Sequence, residues 1–301
     1  MERMEMLVDE ASDGLRLDRF LAAQRPDLSR SAIQREIRDG AVQVGDSVIE
    51  RNAHKLRAGD TVCWTHTEAP PLSPAEIPLD VLYEDDSLVA VNKPIGLVVH
   101  PGAGTEETTL VEGLLATREL PASDDPTRPG IVHRLDKGTS GVLVIAKTPE
   151  ALTALQAQFA ERTVEKAYLA VVDGLIEEDE GVIDAPVGRD PARPSRMIVA
   201  PRGRRSISEF RVLDRLEDRT LLWVRPRTGR THQIRTHLLY IGHPVVGDAT
   251  YNPAPGTGRM MLHAWRLSVR HPDAGEEMRF EAPVPPEFPG YPYGELPWRS
   301  A

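Results

Sequence analysis

In the stretch Gly130-Ile-Val-His-Arg-Leu-Asp-Lys-Gly-Thr-Ser-Gly-Val-Leu-Val-Ile-Ala-Lys147 a single carboxylate, Asp136, stands between Arg134 and Lys137. A carboxylate held among cations is a candidate nucleophile or base. Taken alone, a charged turn of this kind is more often solvated surface than reactive chemistry. Its setting is less ordinary. Ile131 and Val132 lead into the turn, and Val142 to Ala146 leave it as an unbroken apolar run, the pattern of a strand buried on both faces. Gly138 and Gly141 give the turn backbone freedom. Asp136 is therefore expected at the end of a rigid core.

A second stretch, Arg227-Thr-Gly-Arg-Thr-His-Gln-Ile-Arg-Thr-His-Leu-Leu-Tyr-Ile-Gly-His-Pro-Val-Val-Gly-Asp248, concentrates further polar groups. Thr231 is predicted to cap a helix that buries Ile234, Leu238 and Ile241 and ends at Gly242, with His232 and Arg235 three residues apart on another side. His232 and His237 are five apart with no accompanying acid, so the spacing does not suit zinc. The glycines near Asn92-Lys-Pro-Ile-Gly lack the Gly-Lys-Ser/Thr ending of a phosphate-binding loop.

The chain of 301 residues, 40% apolar, has room for about two domains. No run reaches the length of a membrane span, and the acidic start from Met1 to Asp13 lacks a signal-peptide pattern, which places the protein in the cytoplasm. The single cysteine, Cys63, leaves no internal disulfide or multi-cysteine zinc site and reads as a small apolar strand residue. Net charge is −10, which by itself argues against a polyanionic partner. Its distribution argues the other way. Between Arg189 and Arg235 there are thirteen arginines against five acids, while acids gather at Asp80 to Asp86 and Glu177 to Asp184. A local basic stripe suits a nucleic acid gripped at one place.

Residues 14–64 read as a small domain. Leu17, Phe20 and Leu21 share a helical face, and Ser31 with Gln34 forms a capping box before Ile33 and Ile37. Gly40 stops that helix, Val42, Val44, Val48 and Ile49 form a hairpin about Gly45-Asp46, and Thr61 to Trp64 closes it. Arg19, Arg30, Arg35 and Arg38 lie off the apolar face. Residues 65–78 carry four prolines and read as a semi-rigid linker. Residues 79–301 form the larger domain. Its predicted elements are strands at Val81–Tyr83, Leu88–Val91, Glu165–Val172, Met197–Val199, Ile207–Leu213 and Leu221–Val224. A helix opened by Thr148 and Pro149 carries Leu152, Leu155 and Phe159, and a proline-rich tail from Pro283 wraps the core.

His-Arg-Leu-Asp136, two residues, Thr-Ser-Gly141 and an apolar strand ending Ala-Lys147 resemble the catalytic signature of the RluA/RluD family of RNA pseudouridine synthases. Asn92 to Gly102, Phe159 to Gly174 and Arg227 to Asp248 resemble three further family segments, with Ser208 where threonine is common. Leu17-Asp-Arg-Phe-Leu21 through Leu28-Ser-Arg-Ser31 to Val44-Gly-Asp46 resembles the S4 RNA-binding domain. The resemblance covers about residues 14–282. It implies an α+β fold: a mixed, largely antiparallel sheet with flanking helices as the catalytic domain, plus a small α/β S4-like domain. It also implies conversion of uridine to pseudouridine in structured RNA, ribosomal or else transfer RNA, by a monomer without cofactor, metal or membrane.

Within that resemblance Asp136 acts at the sugar, Arg235 pairs with it and Tyr168 faces the target base. Arg134 fills the gap left by the flipped nucleotide, and His133, Arg230, His232 and Gln233 with Arg19, Arg30, Arg35 and Arg38 contact substrate. Two rival readings are a noncatalytic RNA-binding or ribosome-assembly factor and a glycosidase. The first does not need Asp136, Tyr168 and Arg235 together, and the second lacks a second carboxylate tied by motif to Asp136.

Overall fold

A computed structural model describes residues 2–28, 30–38, 40–66, 72–102, 107–193, 195–254, 256 and 258–295. The chain divides into two compact units, Met1–Ser73 with Ala122–Pro129, and Pro74–Pro121 with Gly130–Ala301.

The first unit contains β1 (Glu2–Leu7), α1 (Leu17–Gln24), α2 (Arg30–Arg38), β2 (Val42–Val44), β3 (Ser47–Val48) and β4 (Thr61–His66). Its antiparallel sheet runs β1-β4-β2-β3. Leu17, Phe20, Leu21, Ile33, Ile37 and Trp64 form its centre. The acidic start of the chain lies outside the 14–64 span read as the small domain, yet it joins that domain's sheet. Its period-two pattern turns Met4 and Met6 toward that core and glutamates outward, which makes it an edge strand.

The Ser31 capping box is also corrected: α2 begins at Arg30, so Ser31 lies within the first turn. Gln34 instead donates to the fully buried Asp18 at 2.6 Å, beside donors from Arg16 at 2.9 Å and Arg30 at 3.0 Å. Burial alone would raise the Asp18 pKa, but these three partners hold it well below the usual range. The side chains of Ser31 and Arg35 lie outside the described residues.

The second unit contains, in chain order, β5 (Asp80–Glu84), β6 (Leu88–Lys93), α3 (Leu110–Leu115), β7 (Ser140–Ala146), α4 (Pro149–Glu161), β8 (Glu165–Asp173) and β9 (Glu180–Asp184). There follow β10 (Val187–Arg189), β11 (Met197–Val199), β12 (Ile207–Arg215), β13 (Arg219–Pro226), α5 (Gln233–Tyr240), β14 (Leu262–Arg270) and β15 (Glu277–Glu281). One nine-stranded sheet runs β5-β6-β7-β14-β8-β13-β12-β9, with β15 also on β14, while β10 and β11 form a separate pair. Among the named strands of the described residues β7 and β14 alone pair in parallel, so the fold is α+β with a mixed, largely antiparallel sheet.

The unbroken apolar run of β7 is explained by burial on both faces. Val142, Val144 and Ala146 pack with Leu152 and Leu155 of α4, while Leu143 and Ile145 pack with Leu110 and Leu114 of α3. At φ +115°, Gly141 passes so close to β14 that a Cβ would collide with the Ala264 carbonyl. Thr148 caps α4 by accepting from the Ala151 amide, with Pro149 at the first helical position. Val284, Phe288, Tyr291 and Tyr293 of the tail pack on the core. No helix among the described residues is long and apolar enough to cross a membrane.

Candidate active site

Leu135, 5% exposed and packed into the core beneath β7, anchors the loop that carries Asp136. The loop is pinned from below. The Gly96 amide donates to the Lys137 carbonyl at 2.8 Å, and the fully buried Lys93 ammonium donates to the carbonyls of Pro94, Leu97 and Lys137 at 2.8, 2.9 and 3.4 Å. Burial brings the Lys93 pKa down to about 7, against the opposing pull of Asp136.

Arg235, in the first turn of α5, reaches Asp136 from the other side, its Nη1 2.9 Å from Oδ2. Its remaining donors are fixed by Asp248, which takes Nε at 2.7 Å and Nη2 at 2.8 Å. The guanidinium lies 4.8 Å over the Tyr251 ring. Burial would lower the Arg235 pKa, but Asp248 and Asp136 together raise it. The Arg235 side chain is 8% exposed, that of Asp248 1% and that of Asp136 18%. Asp136, the more exposed of the two carboxylates, is therefore held by a guanidinium whose other donors are tied to Asp248.

The expected Thr231 cap is not formed. His232 takes the N-cap position at φ 53°, without a side-chain cap, and the Gln233 Oε1 accepts the Arg230 amide at 3.1 Å instead. Gln233 Oε1 also accepts from Thr228, and its Nε2 donates to the Ile207 carbonyl and Ser208. Its amide is thereby fully used in shaping the 227–231 loop. The left-handed backbone at His232 sets Nε2 3.9 Å from Asp136 Oδ1, while Nδ1 pairs with the Tyr251 hydroxyl at 2.8 Å.

A cavity of about 540 Å³ opens beside Asp136, walled by Tyr168 and Lys166 of β8, Leu262 of β14, Arg235 and the 227–231 loop. The Tyr168 hydroxyl has no hydrogen-bond partner among the described residues. Burial and then the nearby Asp136 charge raise its pKa, so it presents a neutral phenol and a ring face. His133 lines the same cavity but serves the fold: it stacks on Phe159 at 4.5 Å, and its Nε2 accepts the Val144 amide at 3.0 Å. Burial drives its pKa to about 3, which keeps that nitrogen an acceptor. Arg134 is exposed and lines both this cavity and a second of about 560 Å³ on the other side of Asp136.

Asp136, Tyr168, Arg235, Arg134, His133, His232, Gln233 and Arg230 thus come together. Arg19 and Arg38 belong to the first unit, where both are exposed, and Arg30 is committed to Asp18.

The basic stripe is weaker than its count. Because β9 pairs with β12, Arg211, Arg215 and Arg205 meet Glu180, Asp179 and Asp184, and Arg227 meets Glu209. Arg189, Arg193, Arg202, Arg204 and Arg230 form no ion pair among the described residues.

Sequence reasoning gave no role to Asp248, Tyr251, Lys93 or Lys166. A signal existed for Asp248, the acid closing Pro-Val-Val-Gly-Asp, and for Lys93, the one charge ending an apolar strand before proline. Among the described residues no group of three or more histidine, cysteine, aspartate or glutamate side chains is arranged to hold a metal ion.

The profile of the RNA pseudouridylate synthase family matches residues 87–240, and that of the S4 domain matches residues 15–62. An uncharacterized RNA pseudouridine synthase of Bacillus subtilis is 42% identical over 293 residues, 96% of each chain. Ribosomal large subunit pseudouridine synthase D is 44% identical in Nitrosomonas europaea, over 95% of this chain and 86% of that one. In Escherichia coli K12 the protein of that name is 39% identical, over 93% and 90%. The solved structure of human RNA Pseudouridylate Synthase Domain Containing 1 superposes with a TM-score of 0.57 at 29% identity, covering 69% of this chain and 84% of that one. The family profile, the S4 profile and these relatives define an RNA-modifying isomerase. The chain belongs to the RNA pseudouridylate synthase family.

Proposed function

We propose that this protein converts specific uridines of large-subunit ribosomal RNA to pseudouridine in the cytoplasm, with Asp136 as the reacting carboxylate. The observation that carries the assignment is the clamp: of the two carboxylates that line the Tyr168 cavity, Asp136 is held at 2.9 Å by the buried Arg235, itself fixed by Asp248, whereas Glu165 pairs with Arg225 at 3.4 Å. The target nucleotide flips out of its RNA, and its base enters against the Tyr168 ring. Asp136 then acts at the sugar, either attacking the anomeric carbon or removing a neighbouring sugar proton. The ribose-to-nitrogen bond breaks, the base turns within the closed cavity, a ribose-to-carbon bond forms, and the proton on that carbon leaves. Arg235 pairs with Asp136 at 2.9 Å and orients its carboxylate toward the sugar. Arg134, exposed at the rim, stacks in the gap left by the flipped base.

The noncatalytic reading leaves the buried Asp136–Arg235–Asp248 array without a purpose. The glycosidase reading would need Asp248 or Glu165 as the second carboxyl, but both oxygens of Asp248 are occupied by Arg235 and by the amides of Thr250 and Tyr251, and Glu165 is paired with Arg225 at 3.4 Å. The ribosomal choice is supported by the relatives named above and by the S4 domain. It is tested by mapping pseudouridines in ribosomal and transfer RNA from cells with and without the gene. Loss of large-subunit sites is expected. Loss confined to transfer RNA would contradict the choice of substrate.

A further inference from the structure

Alternation along β8 puts Lys166 on the same face as Tyr168, about 7 Å along the strand, and both line the cavity. The Lys166 ammonium lies over the Phe159 ring, 5.8 Å from its centre. The ammonium has no hydrogen bond or ion pair among the described residues. It also lies about 3.6 Å from where a side chain at Gly229 would begin, so the missing side chain leaves the ammonium open to the cavity.

Arg230, on the same loop as Gly229, has its Nε buried without a partner. Burial first, then repulsion from Arg204 and Arg162, pushes the Arg230 pKa down. Arg162, the left-handed residue that ends α4, completes this wall. Glu165, which lines the same cavity, faces Arg225 at 3.4 Å. Lys166 and the Arg230 Nε are partly withdrawn from water with donors unspent, beside the exposed Arg162, and such donors are costly until an anion joins them.

We propose that Lys166, Arg162 and Arg230 form a phosphate subsite for the diester group that joins the target nucleotide to its neighbour. The proposal rests on reading the cavity as the site of the flipped uridine, and it fixes which end of the nucleotide lies where. Base and sugar take the Tyr168 and Asp136 end, and the backbone leaves past the cations. Lys166 contributes a point charge and the arginines contribute planar donors to the non-bridging oxygens.

The test uses the full-length protein and a stem-loop from large-subunit ribosomal RNA, with each phosphate near the target uridine replaced in turn by a neutral methylphosphonate. Affinity is measured for wild type, Lys166→Met and Lys166→Arg. For wild type, one position beside the target should cost about tenfold or more in affinity, the effect of losing a charge-assisted contact. Lys166→Met should bind the unmodified RNA more weakly by a similar factor and be indifferent to the replacement at that position. Lys166→Arg should restore the sensitivity, which separates a charge contact from a packing defect.

Equal losses for wild type and Lys166→Met at every position would overturn the subsite. The readout is binding and does not depend on turnover. Coupling without turnover would therefore sink the catalytic reading and keep the subsite, and turnover without coupling would do the reverse.

Discussion

Replacing Asp248 by asparagine should separate the clamp from the chemistry it serves. In the native protein Oδ2 takes Arg235 Nε at 2.7 Å, and Oδ1 takes Nη2 at 2.8 Å together with the amides of Thr250 and Tyr251. An asparagine can keep the Oδ1 contacts, but its NH2 then confronts the Nε–H donor to donor. One charge-assisted bond is lost, about 1.5–3 kcal/mol, and a buried donor is left without an acceptor. Asp136 still balances the guanidinium charge, so the cost should fall short of a fully broken buried pair, at about 3 kcal/mol. For a unit of this size that is roughly 6–12 °C in Tm. The catalytic cost should exceed the stability cost in its consequences, because Arg235 loses the side that fixes its angle. A misplacement of about 1 Å at a reacting group is worth about a hundredfold in rate. The assay is release of tritium from RNA labelled at the uridine carbon that becomes bonded to ribose, with melting followed by circular dichroism. We expect kcat to fall about a hundredfold with KM changed less than about threefold. A variant with both Tm and kcat close to wild type would refute the argument that Asp248 orients Arg235.

Arg235→Lys should lose nearly all activity although charge is kept, since an ammonium cannot serve Asp136 and both oxygens of Asp248 in one plane. Wild-type kcat in this variant would show Arg235 to be a general charge only. Lys166 has its pKa lowered by burial from 10.5 to about 8, so the folded protein carries a charge-burial penalty of about 3 kcal/mol. The penalty is fully present below about pH 8 and is relieved as pH rises toward 10.5. The groups that share this end of the cavity are His133, which burial keeps neutral, the cations Arg162, Arg225 and Arg230, and Glu165, which pairs with Arg225 at 3.4 Å. Denaturant titrations of wild type and Lys166→Met should therefore converge as pH rises from 8 to 10, with the variant the more stable at pH 7. A constant difference would contradict a desolvated, unpaired ammonium. Removing residues 1–72 should raise KM on ribosomal RNA and flatten the salt dependence of binding while leaving the saturating rate on a stem-loop within about threefold. Loss of that rate in a folded truncation would show that the first unit helps to build the active site.

The strands and helices with strong local signals were legible: Thr148-Pro149 opens α4, the apolar run from Val142 is β7, and Met197–Val199 is a strand. What escaped depended on partners distant in sequence. The leader became β1 because β4 offers it an edge, and β14 went unread although it holds β7 and β8 together. The arginine stretch looked more basic than it is because the acids that neutralise part of it lie across the sheet on β9. At the site, the pairing of Arg235 with Asp136 was expected and is present at 2.9 Å. The second half of the clamp was not expected, because no spacing rule links positions 235 and 248. Only the turn after α5 brings them together. Gln233 and His133 look like substrate contacts as a sequence, yet their hydrogen bonds are spent on the 227–231 loop and on β7.

The central claim, that Asp136 is the reacting group, is tested most directly by Asp136→Asn under single-turnover conditions, with protein in excess over the ribosomal stem-loop. The amide has nearly the same shape and still accepts from Arg235, so the fold and the RNA affinity should stay close to wild type. Conversion in that complex should fall by at least about a thousandfold, because neither attack on the anomeric carbon nor removal of a sugar proton can be carried out by an amide. Pseudouridine forming within tenfold of the wild-type rate, in a variant that binds and melts normally, would contradict the assignment.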